Sequence, residues 1–164
     1  MKLNTILLCG SLLCVTPLAN SAGPSGMLGM NELAIHEAAR LGNRGAVEKL
    51  LRGNPALRDT PTTLDSTPLH LAATNADSGP LQALLAAGAN VNARDNEGNT
   101  PLHIAVFSVR QRNVQLLLEA NADPLLKTNA GRDALSMARK VRADELAGII
   151  ALRMLKGCSA TKPC

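Results

Sequence analysis

The chain has 164 residues, 46% of them hydrophobic, and a formal net charge of +4. This length is that of a single domain, and the positive excess is too small to indicate nucleic-acid binding. The chain lacks Trp and Tyr and has one Phe, Phe107. A core must therefore be built from Leu, Ala, Val, Ile and Met, a composition typical of tightly packed helices.

Residues 1–22 predict a cleaved secretory signal. A basic start precedes an apolar run at 6–15, which is too short to span a bilayer as a helix. Small residues follow, and then a Gly/Pro-rich stretch that we expect to form a linker at 23–30. Cys14 is not expected to carry a lipid, because the bulky Leu13 precedes it. The signal predicts a periplasmic or secreted protein that meets a membrane only transiently.

An internal repeat follows the linker. The tetrapeptide Thr-Pro-Leu-His at 67–70 recurs at 100–103, a period of 33 residues. A related segment lies around His36, and a diverged one lies at 133–138. Such a period predicts stacked units that each bury an apolar face against a neighbour. We expect four units, at 31–61, 62–94, 95–127 and 128–156.

Each unit has the signals of a helix pair. Thr67 and Thr100 precede a proline, so we expect them to cap helices that begin at Pro68 and Pro101. Gly88 and Asn121 tolerate the left-handed conformation and are predicted to end the second helices. The segment 42–45 is predicted to be an interhelix turn.

The period and the Thr-Pro-Leu-His motif resemble the ankyrin repeat. The resemblance covers residues 31 to about 155 and implies an all-α solenoid with an outward loop in each repeat. Leu33-Ala34 and Asp133-Ala134 replace Thr-Pro in the outer copies, as expected of capping repeats. The resemblance also implies a structural role for three equivalent histidines, which bond the loops to the helices: His36, His70 and His103.

Catalytic and cofactor-binding signals are missing from the sequence. There is no Gly-x-Ser-x-Gly, phosphate-binding glycine loop or His-Glu-x-x-His motif. The histidines of successive units would lie about 10 Å apart, too far to share a metal. We therefore expect a non-enzymatic, monomeric protein with no cofactor, no metal site and no nucleic-acid partner.

The resemblance implies a partner-binding surface on the loop tips and on the concave face of the first helices. The predicted contact residues are Arg40, Leu64, Ser66, Thr74, Asn75, Asn96, Glu97, Asn99, Phe107, Ser108, Arg132 and Lys140. Phe107 is either an exposed anchor of this surface or an inward side chain packed against Val106 and Val109. Aromatic and Arg anchors carry much of the energy of protein interfaces, so the orientation of Phe107 decides whether it can serve as such an anchor.

The C-terminal tail, 157–164, contains Cys158 and Cys164, which are predicted to form a disulfide in an oxidising compartment. A metal site would need more ligands than this tail offers. Residues 127–164 carry eight basic and three acidic side chains. This basic end is interpreted as ordinary solvated cover rather than a docking patch.

Three protein-binding functions are compatible with this pattern, beside a purely structural or stress-protective role without a single tight partner, and fold alone does not choose among them. One is an adaptor that holds a resident protein of the cell envelope. Another is an immunity or inhibitor protein that occludes a toxin or hydrolase. The last is a secreted effector that targets host proteins.

Overall fold

The computed structural model describes residues 33–156, which form eight α-helices and no strand. The predicted signal, the linker and the C-terminal tail with Cys158 and Cys164 lie outside the described residues. Within 33–156 no helix is both long and apolar enough to cross a bilayer. The helices are α1 (Ala34–Leu41), α2 (Arg44–Gly53), α3 (Pro68–Thr74), α4 (Gly79–Ala86), α5 (Pro101–Phe107), α6 (Gln111–Glu119), α7 (Ala134–Lys140) and α8 (Asp144–Leu155).

The helices pair in chain order, and we call α1–α2 copy one, α3–α4 copy two, α5–α6 copy three and α7–α8 copy four. The odd-numbered helices pack side by side in one layer, α1 on α3, α3 on α5 and α5 on α7. In the second layer α2 packs on α4, and α6 packs on α8. This arrangement is the predicted all-α solenoid of four repeats.

The helix boundaries follow the local sequence signals. Pro68 and Pro101 begin α3 and α5 after the threonine N-caps, as predicted. After α4 and α6, Gly88 and Asn121 adopt φ of 77° and 64°, the left-handed conformation expected of them. A short 3-10 turn over Pro55–Asp59 follows α2.

The prediction of an interhelix turn at 42–45 is wrong for residues 44 and 45. Only Gly42 and Asn43 lie between α1 and α2, and α2 begins at Arg44. The Asn43 side-chain oxygen accepts a hydrogen bond from the Ala46 N–H at 3.1 Å. This N-cap satisfies a free donor of the first turn and draws Arg44 and Gly45 into the helix.

The core lies between the two layers and repeats from copy to copy. Leu69 and Leu102 occupy the same position of α3 and α5, and both are fully buried. Val47, Leu81 and Val114 are their counterparts in the second layer and are equally buried. Because no unit could enclose these side chains alone, stacking of the copies creates the core and fixes the spacing of the loops.

Candidate functional site: a groove between copies three and four

A histidine at the start of each of the first three odd-numbered helices joins the helix to its preceding loop. The backbone N–H groups of Leu33, Thr67 and Thr100 donate to Nδ1 of His36, His70 and His103 at 3.0, 3.1 and 3.1 Å. Because each Nδ1 accepts from the backbone, the network assigns the ring proton to Nε2. The predicted structural role of the three histidines matches this geometry.

The Nε2–H groups of two of these histidines donate to the loop that leads to the next copy. His36 Nε2 lies 2.8 Å from the Thr60 carbonyl oxygen, and His70 Nε2 lies 3.1 Å from that of Asn99. The His70 bond fastens copy two to copy three, and the His36 bond holds the segment that leads from copy one to copy two. Burial lowers the pKa of His70, although the Asn99 carbonyl and the Asp95 carboxylate oppose the shift.

His103 differs from the other two. Its side chain is 99% buried, yet its Nε2 has no hydrogen-bond partner among the described residues. Burial also lowers the pKa of His103, and the backbone carbonyls of Arg132 and Leu126 are near enough to oppose the shift. Copy three therefore lacks the Nε2 hydrogen bond that the corresponding histidines of the first two copies make to the following loop.

The loop tips of copies two, three and four are joined by hydrogen bonds between successive copies. The Asn96 N–H donates to the Leu64 carbonyl at 3.1 Å, and the Asn129 N–H donates to the Glu97 carbonyl at 2.9 Å. The Asn129 side chain adds a bond to the Asn96 carbonyl at 3.0 Å. The tips thus form a continuous edge with fixed spacing, beside which the inner face of α5 and α7 lies.

Gly98 enables this close approach of the tips. It is buried, has a φ of 74°, and an added Cβ would collide with the Asn129 side chain and the Arg94 guanidinium. Arg94 in turn donates to the Lys127 carbonyl at 2.8 Å. Glycine at this position therefore sets how closely the copy-three tip approaches the copy-four tip.

A groove of about 720 Å³ opens between copies three and four, bounded by these tips and by the C-terminal end of α7. Its size lies within the usual range of binding pockets. Six predicted contact residues, drawn from both copies, line it: Asn96, Glu97, Asn99, Phe107, Arg132 and Lys140. The structure thus brings half of the predicted set together in one depression.

Phe107 is exposed on this groove. Its side chain is 67% accessible, so the alternative in which it packs inward on Val106 and Val109 is wrong. Ile104 and Met137 lie beside it as the apolar floor. An exposed aromatic side chain over an apolar floor, surrounded by polar groups, is the arrangement typical of interface anchors.

The other predicted contact residues lie away from the groove. Arg40 and Leu64 are exposed at the end of α1 and at the copy-two tip. Ser66 closes the copy-two turn through its backbone, whose N–H donates to Thr62 Oγ1 at 3.2 Å. Ser108 follows α5 outside the groove. The Thr74 hydroxyl donates to the Leu71 carbonyl at 2.7 Å within its own helix.

Asn75 has a structural contact that the sequence did not suggest. Its side-chain NH2 donates to the carbonyls of Ala39 and Gly42, both at 3.2 Å, at the C-terminal end of α1. A helix end leaves such carbonyls without partners inside the helix. Asn75 therefore connects copy two to copy one, and its donor group is occupied within the fold.

Asn113 makes the equivalent connection between copies three and two. It is 99% buried in α6, and its NH2 donates to the carbonyls of Ala72, Ala73 and Asn75 at 2.9–3.3 Å. Its position in the repeat is Pro80 in copy two and Leu146 in copy four. An amide at a position that is apolar in those copies was the signal that could have identified it.

The groove offers hydrogen-bonding groups, charges and apolar surface, but the described residues hold no cluster of three His, Cys, Asp or Glu side chains placed for a metal. The carboxylate of Glu97 accepts from the Asn99 amide at 3.3 Å, and the Asp133 carboxylate caps α7 through the Ser136 N–H at 2.7 Å. Such an arrangement can bind and orient a ligand.

A comparison with known protein families agrees with this architecture. The family model described as ankyrin repeats, three copies, matches residues 35–128, more than half of the chain. The match covers copies one to three and ends at the copy-four tip. Copy four nonetheless packs on copy three through α5 with α7 and α6 with α8.

Proposed function

Because this chain belongs to the ankyrin-repeat family, whose members are generally protein–protein interaction modules, we propose that it binds a partner protein through the groove between copies three and four. Such modules are typically non-catalytic. The observation that carries the proposal is the exposed Phe107, which stands beside an apolar floor and within a rim of amides and charges. Exposed apolar surface with a polar rim is typical of protein-interaction sites.

The groove also has the rigidity that specific recognition requires. The tip-to-tip hydrogen bonds fix one wall, and packing of α5 on α7 fixes the floor. A surface that is already in its bound shape loses little conformational entropy on association. This preorganisation favours specific binding of one partner rather than adaptable binding of several partners.

The site is tested by capture of the partner from the source cells. The tagged full chain is expressed in its own organism, cross-linked, purified and analysed for retained proteins. A variant with Phe107→Ala, Arg132→Ala and Lys140→Ala should lose the partner that the unmodified chain retains.

The control variant likewise removes one large apolar, one Arg and one Lys side chain, but away from the groove. Leu155→Ala, Arg52→Ala and Lys49→Ala each remove an exposed side chain from α8 or α2. We expect this variant to retain the partner. If the groove variant, still folded by circular dichroism, retains the partner equally well, the proposed binding site is wrong.

We also propose that the protein acts in the cell envelope or outside the cell, a proposal supported by the signal-like sequence of residues 1–22. An envelope adaptor, an immunity or inhibitor protein and a secreted effector would all use the same groove. They differ in the captured partner: a resident envelope protein, a toxin or hydrolase, or a host protein. Cell fractionation tests the location, and mass spectrometry of the mature protein shows at which residue its N-terminus lies.

A further inference from the structure

The charges of the groove restrict what can fill it. Arg132 and Lys140 contribute two cations to its lining, and Glu97 contributes the one carboxylate. Arg139 and Arg142, both exposed, flank the lining residues Lys140 and Val141 in the sequence, and the exposed Asp144 and Glu145 follow at the start of α8. A partner that brings negative charge to this side of the groove meets a complementary field.

The two cations of the lining are not neutralised within the fold. The ion pairs among the described residues are Arg44 with Glu48 and Arg58 with Asp59, far from the groove. Within residues 33–156 no carboxylate oxygen lies within 4 Å of the side-chain nitrogens of Arg132 or Lys140. The nearby carboxylates of Glu97 and Asp133 accept hydrogen bonds from Asn99 and the backbone of α7.

The groove also has a size that suits a short stretch of peptide. It runs from the tips at Asn96 and Asn129 to Val141, past α7, whose seven residues span about 10 Å at 1.5 Å each. An extended peptide advances about 3.3 Å per residue, so about three residues lie alongside α7. One apolar side chain can then rest on Phe107 and Ile104, with its neighbours near the cations.

From this juxtaposition we propose that the groove binds an extended, acidic segment of the partner, in which one large apolar side chain rests on Phe107 and an adjacent Asp or Glu faces Arg132 and Lys140. This inference rests on the proposed function and specifies the partner's chemistry. Phe107 supplies apolar contact area, and the cations select the sign of the neighbouring charge. Affinity and charge preference are therefore separable properties of this surface.

The test uses two pools of fluorescein-labelled twelve-residue peptides, each with Leu at two central positions. The other positions carry Asp and Glu with Ser and Gly in the acidic pool, and Lys and Arg with Ser and Gly in the basic pool. Binding to the full chain is measured by fluorescence anisotropy. We expect the acidic pool to bind about tenfold more tightly, since two exposed ion pairs contribute about threefold each.

Variants separate the two parts of the proposal. Arg132→Glu with Lys140→Glu should reverse the preference between the pools, whereas the control Arg52→Glu with Lys49→Glu should leave it unchanged. Phe107→Ala should weaken binding of the acidic pool at least fivefold. In the unmodified chain, raising NaCl from about 50 to 500 mM should reduce the preference, because salt screens exposed charges.

Equal binding of the two pools, tighter binding of the basic pool, or no binding of either would overturn the acidic-segment inference. After any of these results, the proposed function would still be tested by the capture experiment. There the groove variant reports on a partner of any charge. Loss of capture without a preference between the pools would mean that the groove binds a partner of different chemistry. Retained capture by the groove variant would overturn both proposals.

Discussion

The junction between copies two and three and the junction between copies three and four share the packing of the odd-numbered helices, α3 on α5 and α5 on α7, but differ in their polar connections. At the first junction, His70 donates to the Asn99 carbonyl and Asn113 donates to three carbonyls at the end of α3. At the second, His103 Nε2 has no partner among the described residues, and the position equivalent to Asn113 is the apolar Leu146. The junction that opens into the groove therefore lacks these two connections, although Gln111 donates to the Glu145 carboxylate across it at 2.6 Å.

The junction between copies one and two extends this comparison. There Asn75 of copy two reaches back to the end of α1. The residue equivalent to Asn75 in copy four is Val141, which lines the groove. Copy four therefore has neither of the two asparagines that connect a copy to its predecessor. Among the described residues, no side chain of copy four therefore makes the bonds at the end of α5 that Asn75 and Asn113 make at the ends of α1 and α3.

The largest expected effect is that of Asn113→Ala. The variant removes three hydrogen bonds, two of them buried, and takes this donor from the Ala73 and Asn75 carbonyls, so we expect the free energy of unfolding to fall by about 3 kcal/mol. Chemical denaturation followed by far-UV circular dichroism measures the loss, since the chain has no Trp or Tyr. The control Gln115→Ala, in the same helix, should change it by less than about 0.5 kcal/mol. Equal effects would show that the buried amide is not an important connection.

Asn75→Ala tests whether this side chain serves the fold or the partner. Loss of its bonds to Ala39 and Gly42 should lower the free energy of unfolding by about 1.5 kcal/mol. The equivalent change in copy three, Ser108→Ala, should lower it by less than about 0.5 kcal/mol. Partner capture should be unchanged in both variants. Loss of capture by a stably folded Asn75→Ala chain would restore Asn75 to the binding surface.

A pair of histidine variants compares the two junctions directly. His70→Ala and His103→Ala each remove a buried ring and its cap bond to the preceding backbone, but only His70 also loses a bond to the next copy. We expect His70→Ala to be more destabilising by about 1 kcal/mol, the net value of one hydrogen bond. Urea unfolding of the two variants side by side measures this difference. Equal losses would mean that the Asn99 bond adds nothing to stability.

Much of this architecture could be predicted from the sequence because its signals are local. The Thr-Pro-Leu-His motif contains both the cap and the first helical turn, and Gly88 and Asn121 each determine their own backbone conformation. Six residues that line the groove were among the predicted partner contacts, because the resemblance to ankyrin repeats places such contacts on the loop tips and the inner face.

The side-chain contacts between copies could not be predicted in this way. Asn75 bonds to carbonyls 33 and 36 residues earlier, and Asn113 reaches back 38 to 41 residues. Such contacts depend on the offset between stacked copies, which no local pattern encodes. The orientation of Phe107 could not be predicted for the same reason, because the space beside it is created by copy four.

The smallest expected effect concerns the turn between α5 and α6. Val109 adopts a φ of 54°, and Arg142, its equivalent in copy four, adopts 55°. This conformation is unfavourable for a β-branched residue by about 1–2 kcal/mol, whereas glycine accepts it freely. Val109 is 54% exposed, so its removal exposes little new core. After the extra entropy of glycine in the unfolded chain is subtracted, Val109→Gly should raise the free energy of unfolding by about 0.5 kcal/mol.

Arg142→Gly is the matched control for this prediction, because it relieves the same backbone strain without the β-branched component and should gain less. The two left-handed residues follow the inner helices that flank the groove, whereas Gly42, the equivalent in copy one, has a φ of −82°. If Val109→Gly is instead destabilising, contacts of the valine outweigh its strain. An increase in stability with unchanged peptide binding would show that the strain affects the turn alone. Peptide binding would then depend on Phe107 and the cations of copy four and not on Val109.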